Sequence, residues 1–205
     1  MIGIIGAMEE EVAALKSEMA DAKVTEFASM TFYKGTLCGK DTVVVRSGIG
    51  KVNAAICAQI LVDKFGVDTL INTGIAGSLD ARIDIGDMVI STDAVHHDMD
   101  ATIFGDAIGQ VPRMDTRTFP ADPHLVELAV KANEKANPQI HTFTGRVASG
   151  DQFISSGEVK ARIVENFQAL CTEMEGAGIA HAAYLNKVSY VIILSLIHIS
   201  EPTRR

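Results

Sequence analysis

The chain opens on an unbroken apolar run, Met1-Ile2-Gly3-Ile4-Ile5-Gly6-Ala7-Met8, and Glu9-Glu10-Glu11-Val12 follow it without a spacer. A short run with no polar face reads as a strand covered on both sides. Three acidic residues behind it suit the start of a helix, where the macrodipole favours negative charge. A strand that feeds directly into a helix points to a sheet with helical layers, and open sheets of that kind bind ligands beyond the carboxyl ends of their strands. A carboxylate placed there, partly dried by Ala7 and Met8, is a candidate general base. Glu173-Met174-Glu175 repeats the arrangement after a later apolar strand.

The same alternation continues. The spacing predicts a helix from Glu9 to about Ala22, with Val12, Leu15 and Met19 on one face. Thr31–Leu37 and Thr42–Ser47 read as a hairpin around Gly39-Lys40, and a helix opened by Gly48-Ile49-Gly50 runs through Phe65. Strands are expected at Val67–Asn72, Asp87–Ala94, His141–Ser149, Ala169–Thr172 and Ser189–Ile193. Helices are expected from Asp122 to about Asn137, over Gly157–Asn166 and over Glu175–Asn186. Residues 96–120, rich in Gly, Pro and Asp, read as a long functional loop. The expected fold is α/β: a single-domain three-layer sandwich with a mixed, mostly parallel central sheet flanked by helices.

Composition narrows the function. A net charge of −8 lacks the basic face that nucleic-acid binding needs. No apolar run reaches membrane length and no basic-then-apolar leader is present, which predicts a cytoplasmic protein without membrane association. Cys38, Cys57 and Cys171 lack metal-ligand spacing and read as reduced core or near-core thiols. His96, His97, Asp98 and Asp100 are spaced too loosely for a metal site, so neither a metal nor another cofactor is expected.

Several segments carry two readings. Ser47-Gly48-Ile49-Gly50-Lys51 lets backbone amides approach an anion at a helix start, or is a tight structural turn. Asn72-Thr73-Gly74-Ile75-Ala76-Gly77 lets a flat base lie against the backbone, or only bends the chain. Phe153 suits stacking on an aromatic ligand or a place in the core, and Asp151 reads as a turn or capping residue. Glu9 and Glu10 are accounted for by the helix dipole, whereas Glu11 is able to face the strand ends. Glu175 at a helix start is able to accept hydrogen bonds from both hydroxyls of a sugar diol.

Taken together, IGAMEEEV at 5–12, SGIGKVNAA at 47–55, INTGIAG at 71–77, GDMVIS at 86–91, SGDQFIS at 149–155 and TEMEGAGIAH at 172–181 resemble the 5′-methylthioadenosine/S-adenosylhomocysteine nucleosidases of the purine nucleoside phosphorylase superfamily. The resemblance runs from residue 1 to about Ile193, which predicts a nucleosidase domain over residues 1–193. It implies hydrolysis of the bond between adenine and a 5′-thioribose, with a small adenosine thioether as substrate. It implies that Glu11 activates the attacking water and that Glu175 holds the ribose hydroxyls. Glu173 and Met174 would shape the ribose and base site, Phe153 would stack under adenine, and the Ile154 backbone would meet the adenine edge. Ala7, Met8, Ile49, Ala76 and Gly77 would be pocket walls. The resemblance also implies a homodimer in which Phe104 and Pro112 reach the alkylthio group of the other subunit.

The sequence leaves the family pattern after Ile193. The family carries its general-acid aspartate in an Arg-Ser/Ala-Ile-Ser-Asp stretch there, whereas this chain reads Leu194-Ser195-Leu196-Ile197-His198. Leu194 stands in place of the Arg and His198 in place of the Asp. Residues 194–204 resemble a translated sequencing-library adapter, which predicts a non-native tail over 194–205. His198 is not expected to replace the acid, because the loop that would position it is missing. The expectation is a chain with weak or no turnover, less stable for want of the family's final helix. The rival readings are a nucleoside phosphorylase or other nucleosidase on the same fold, and a non-catalytic adenosine-binding protein.

Overall fold

The computed structural model describes residues 1–197. Among these residues ten strands form one mixed sheet. Strand β1 (Ile2–Gly6) lies parallel to both β4 (Lys40–Arg46) and β5 (Thr69–Ser78). Beyond β4, β3 (Met30–Leu37) and β2 (Ala20–Phe27) extend the sheet in antiparallel fashion. On the other side, β5 begins a closed ring of pairings with β9 (Cys171–Glu173), β8 (Thr142–Ser149), β6 (Met88–His96) and β10 (Ser189–Ile197), which returns to β5. Short β7 (Phe119–Pro120) pairs with β6.

Period-two alternation assigns the layers. Ile5, Val43 and Val45 pack with Ala54, Ala58 and Leu61 of α2 (Lys51–Phe65) and with Ala177, Ala180 and Ala183 of α5 (Gly176–Asn186). Ile4 and Val44 face the opposite way, onto Val12 of α1 (Glu9–Ser17). That double burial is why the β1 sequence carries no polar alternate. Val95 and Ala148 pack with Ile163 and Phe167 of α4 (Gly157–Phe167). The last helix in this count, α3 (Pro123–Ala136), is capped by Asp122, whose side chain accepts from the His124 and Leu125 amides.

The turn between β3 and β4 is two residues, Cys38 and Gly39, both at positive φ (48° and 73°), which suits the twist of a tight hairpin. Cys38 is consequently exposed and not in the core, while Cys57 and Cys171 are buried; all three are free thiols.

Three element boundaries differ from the sequence reading. Helix α1 stops at Ser17 and does not reach Ala22, because residues 20–27 pair with β3 as an edge strand. That strand is polar and exposed along nearly its whole length, a common protection for a sheet edge, so it carries no alternation to detect. Strand β5 continues through the glycine-bearing segment to Ser78, and Gly77 pairs with Thr172. Strand β10 continues past Ile193 to Ile197: Leu194 and Leu196 are buried, and the Leu196 amide donates to the Asp87 carbonyl at 2.8 Å. The alternation Leu194-Ser195-Leu196 satisfies the sheet.

Candidate active site

The carboxyl ends of β1, β5 and β9 converge, and each brings part of one cavity of about 210 Å³. Glu11 is set by the start of α1. Met8 is the N-cap, and Glu11, three residues on, reaches back as in a capping box. Its Oε2 accepts from the Ala7 amide at 2.7 Å and the Met8 amide at 2.9 Å. Its Oε1 accepts from the Ile75 amide at 3.3 Å, so the carboxylate bridges the ends of β1 and β5. Gly74 makes room for it: a Cβ there would stand 2.8 Å from Glu11 Oε1.

Glu173 ends β9 and holds the start of α5. Its Oε2 accepts from the Glu175 and Gly176 amides at 2.9 and 2.7 Å, where the helix dipole also favours its charge. Its Oε1 accepts from the Ser149 hydroxyl, whose oxygen in turn accepts from the Ala177 amide at 2.7 Å. Burial raises the Glu173 pKa, these hydrogen bonds oppose the rise, and the Glu11 charge adds to it.

Glu175 is 9% exposed, and its Oε1 accepts from the Gly50 amide at 2.8 Å. Gly50 sits at φ 98°, in the left-handed region that glycine enters freely, and this conformation caps α2. Burial, followed by the neighbouring Glu173 charge, pushes the Glu175 carboxyl up to about 7. Three carboxyl groups therefore share a partly dried space, and the Glu11 charge adds to the rise at both Glu173 and Glu175. Such a site suits a cation or a group that develops positive charge.

The walls are apolar. Ala7 and Met8 come from the end of β1; Ala76 and Gly77, with Ile75, come from β5; Ile49 comes from the turn before α2. Phe153 and Ile154 come from the loop after β8, and Met174 sits between the two glutamates. Ile154 is buried, whereas Phe153 lines the cavity with 67% of its surface exposed. Phe104, on a 3-10 turn (Thr102–Phe104), is 85% exposed, and neither it nor Pro112 lines this chain's own cavity.

Sequence reasoning gave no role to Ser149, Gln152, Thr172 or Ile197, and placed Gly50 and Ile75 only within glycine-bearing segments read as backbone approaches to an anion and to a flat base, or as turns. Gly50 and Ser149 act through hydrogen bonds to the glutamates, and the others line the cavity. Gly50, Ser149, Ile75, Gln152 and Thr172 lie inside the stretches that carry the resemblance, but a backbone amide or a bridging hydroxyl leaves no residue-type signal of its own. Asp151 is a cap, as its sequence suggests, but for a distant helix: its Oδ1 accepts from the Lys51 amide at 2.8 Å. Three members of the His/Asp cluster, His96, Asp98 and Asp100, are engaged within the protein. His96 Nε2 lies 3.2 Å from His181 Nδ1, Asp98 pairs with Lys51, and Asp100 accepts from the Thr102 amide and hydroxyl. Among the described residues, Glu11, Glu173 and Glu175 are the titratable groups lining the cavity. His198 lies outside the described residues.

Known proteins align with this arrangement over nearly the whole chain. The sequence model of the Phosphorylase superfamily matches residues 1–203. A 5′-methylthioadenosine/S-adenosylhomocysteine nucleosidase from Colwellia psychrerythraea is 46% identical over 199 residues, covering 95% of this chain and 82% of that protein. A crystal structure of that organism's nucleosidase in complex with adenine superposes with a TM-score of 0.92, over 97% of this chain and 82% of the other, at 46% identity. The Neisseria meningitidis nucleosidase in complex with methylthio-immucillin-A gives a TM-score of 0.92 at 38% identity, over 96% of this chain and 85% of that one.

Proposed function

The chain belongs to the phosphorylase superfamily, and from that premise we propose that it hydrolyses the N-glycosidic bond of 5′-methylthioadenosine and S-adenosylhomocysteine, releasing adenine and the 5′-thioribose product. The observation that carries this reading is the convergence of Glu11, Glu173 and Glu175 on one apolar-walled cavity. As the bond to adenine breaks, its electron pair leaves with the purine and the ribose becomes oxocarbenium-like. Fixed carboxylates lower the energy of that charge.

Each residue then has a role. Glu11 takes a proton from the water that adds to the anomeric carbon; its position is fixed by the Ala7, Met8 and Ile75 amides. Glu175, held by the Gly50 amide through one oxygen, accepts from the ribose diol through the other. Phe153 stacks on the purine and the Ile154 backbone meets its edge. Phe104 and Pro112 act across a homodimer, a role supported by their exposure outside this chain's own cavity.

Departure of neutral adenine needs a proton on the purine ring. None of the three glutamates is assigned to that step, and the stretch from Leu194 lacks the Arg-Ser/Ala-Ile-Ser-Asp pattern in which the resemblance places an aspartate acid. Low turnover follows on this reading, while the groups that hold the nucleoside remain. Phosphorolysis is disfavoured, because three carboxyl groups repel phosphate where it would have to attack. The free thiols suit a reducing compartment, in line with a cytoplasmic location, and no described helix is long and apolar enough to cross a membrane.

Adenine release from methylthioadenosine, assayed with and without phosphate, tests the reading. Slow release that is independent of phosphate, together with saturable nucleoside binding, supports it. Absence of nucleoside binding, or release that requires phosphate, refutes it.

A further inference from the structure

Four segments meet around Asp98, a residue that does not line the cavity. Asp98 follows β6 by two positions. Its Oδ1 pairs with the Lys51 ammonium, both side chains being largely buried, and its Oδ2 accepts from the Asp151 amide at 2.9 Å. Asp151 Oδ1 accepts from the Lys51 amide at 2.8 Å, which closes a ring of three residues. The neighbouring residue, His97, is fixed to β8 by its amide, which donates to the Ser149 carbonyl at 2.9 Å. Lys51 adjoins Gly50, whose amide holds Glu175 Oε1 at 2.8 Å.

We infer that Asp98 is a positioning residue: through Lys51 and Asp151 it fixes the Gly50 amide, and so the direction in which the Glu175 carboxyl faces the sugar. The geometry is specific to this purpose. Both Asp98 oxygens are used, one on the side chain of Lys51 and one on the residue that caps the Lys51 amide. The first turn of α2 therefore cannot rotate or slide without breaking a charge-assisted contact, and Gly50, which has no side chain to anchor itself, depends on that turn. A buried carboxylate that loses such partners leaves an uncompensated charge, so the ring is held as a unit. The inference rests on the nucleoside reading of the cavity only where it says what Glu175 faces.

A double-mutant cycle on the full chain tests it, with a non-hydrolysable 5′-methylthio nucleoside as probe. In D98N the negative charge that faces the Lys51 ammonium is lost while one acceptor oxygen remains; in D98A both are lost. D98N is expected to weaken nucleoside binding roughly tenfold in the wild-type background, the scale of one hydrogen bond to a charged group. In an E175Q background the same substitution is expected to cost less than about twofold, because residues that act through one another do not add. An equal loss in both backgrounds, or no loss in the first, overturns the inference. Amide hydrogen exchange reads the clamp without any ligand. Gly50 and Asp151 amides should exchange faster in D98N than in wild type, and unchanged rates overturn the inference. If the wild-type chain binds no nucleoside, the functional reading fails, and these exchange rates alone decide whether Asp98 holds Gly50.

Discussion

The Glu175 amide donates to Glu173 Oε2 at 2.9 Å, so the two acidic residues that flank Met174 are joined through the backbone and face different tasks. Both line the cavity, but Glu173 is satisfied by Ser149 and the start of α5, while Glu175 is anchored through Oε1 by the Gly50 amide. One residue builds the helix start that presents the other. This division explains why two carboxylates so close in sequence are not redundant.

Ser149 is the hinge of that arrangement. It is fully buried, donates to Glu173 and accepts from the Ala177 amide. S149A leaves a buried acceptor and a buried donor without partners, and is expected to destabilise the chain by about 1–3 kcal/mol. Urea unfolding of both proteins checks this. A smaller loss of nucleoside affinity than of stability would place Ser149 in support of Glu173 and not in contact with the ligand.

The Glu175 carboxyl gives stability a pH dependence of defined sign. Its pKa rises from 4.5 to about 7 on folding. Between those values the folded state binds more protons than the unfolded one, so stability falls as pH rises through that window and levels off above it. The Glu173 shift has the same direction. E175Q should show a shallower decline than wild type between pH 4.5 and 7 in thermal unfolding. Parallel curves would mean that Glu175 does not carry the shift.

Phe104 tests the dimer. It is 85% exposed and lies outside the cavity of its own chain. F104A is expected to weaken binding of a 5′-alkylthio nucleoside by roughly tenfold, the scale of removing an aromatic anchor, while adenine binds nearly as before. Sedimentation of the wild-type chain should show a dimer. A monomer that binds the nucleoside normally would remove the partner's role.

How much of this was legible from sequence differs by element. Strand β1 and the glutamates behind it were readable because double burial excludes polar residues and the helix start attracts acidic ones. The hairpin around Gly39 and the cap at Asp122 were readable because turn and cap geometry restricts residue type. Strand β2 was not, since an exposed edge has no apolar face to reveal it. The end of β10 was missed because the strand was expected to stop at Ile193, although Leu194 and Leu196 alternate as a buried strand should. In the site, the glutamates and Phe153 carried a signal and the Gly48-Ile49-Gly50 segment was readable as amides facing an anion, but Gln152, Thr172, Ile197 and the Asp98–Lys51–Asp151 ring were not, because the ring joins groups brought together across β6, α2 and the loop after β8.

On the proposed function, Glu11, Glu173 and Glu175 together favour positive charge on a bound sugar. Calorimetric comparison of two 5′-methylthio nucleoside analogues tests it without requiring turnover: one with a protonated nitrogen in the ribose ring, the other its neutral counterpart. The cationic analogue should bind at least roughly tenfold more tightly to the wild-type chain, and E11Q or E175Q should remove most of the difference. Equal affinities in the wild-type chain, or a preference for the cation that survives both substitutions, would contradict the account.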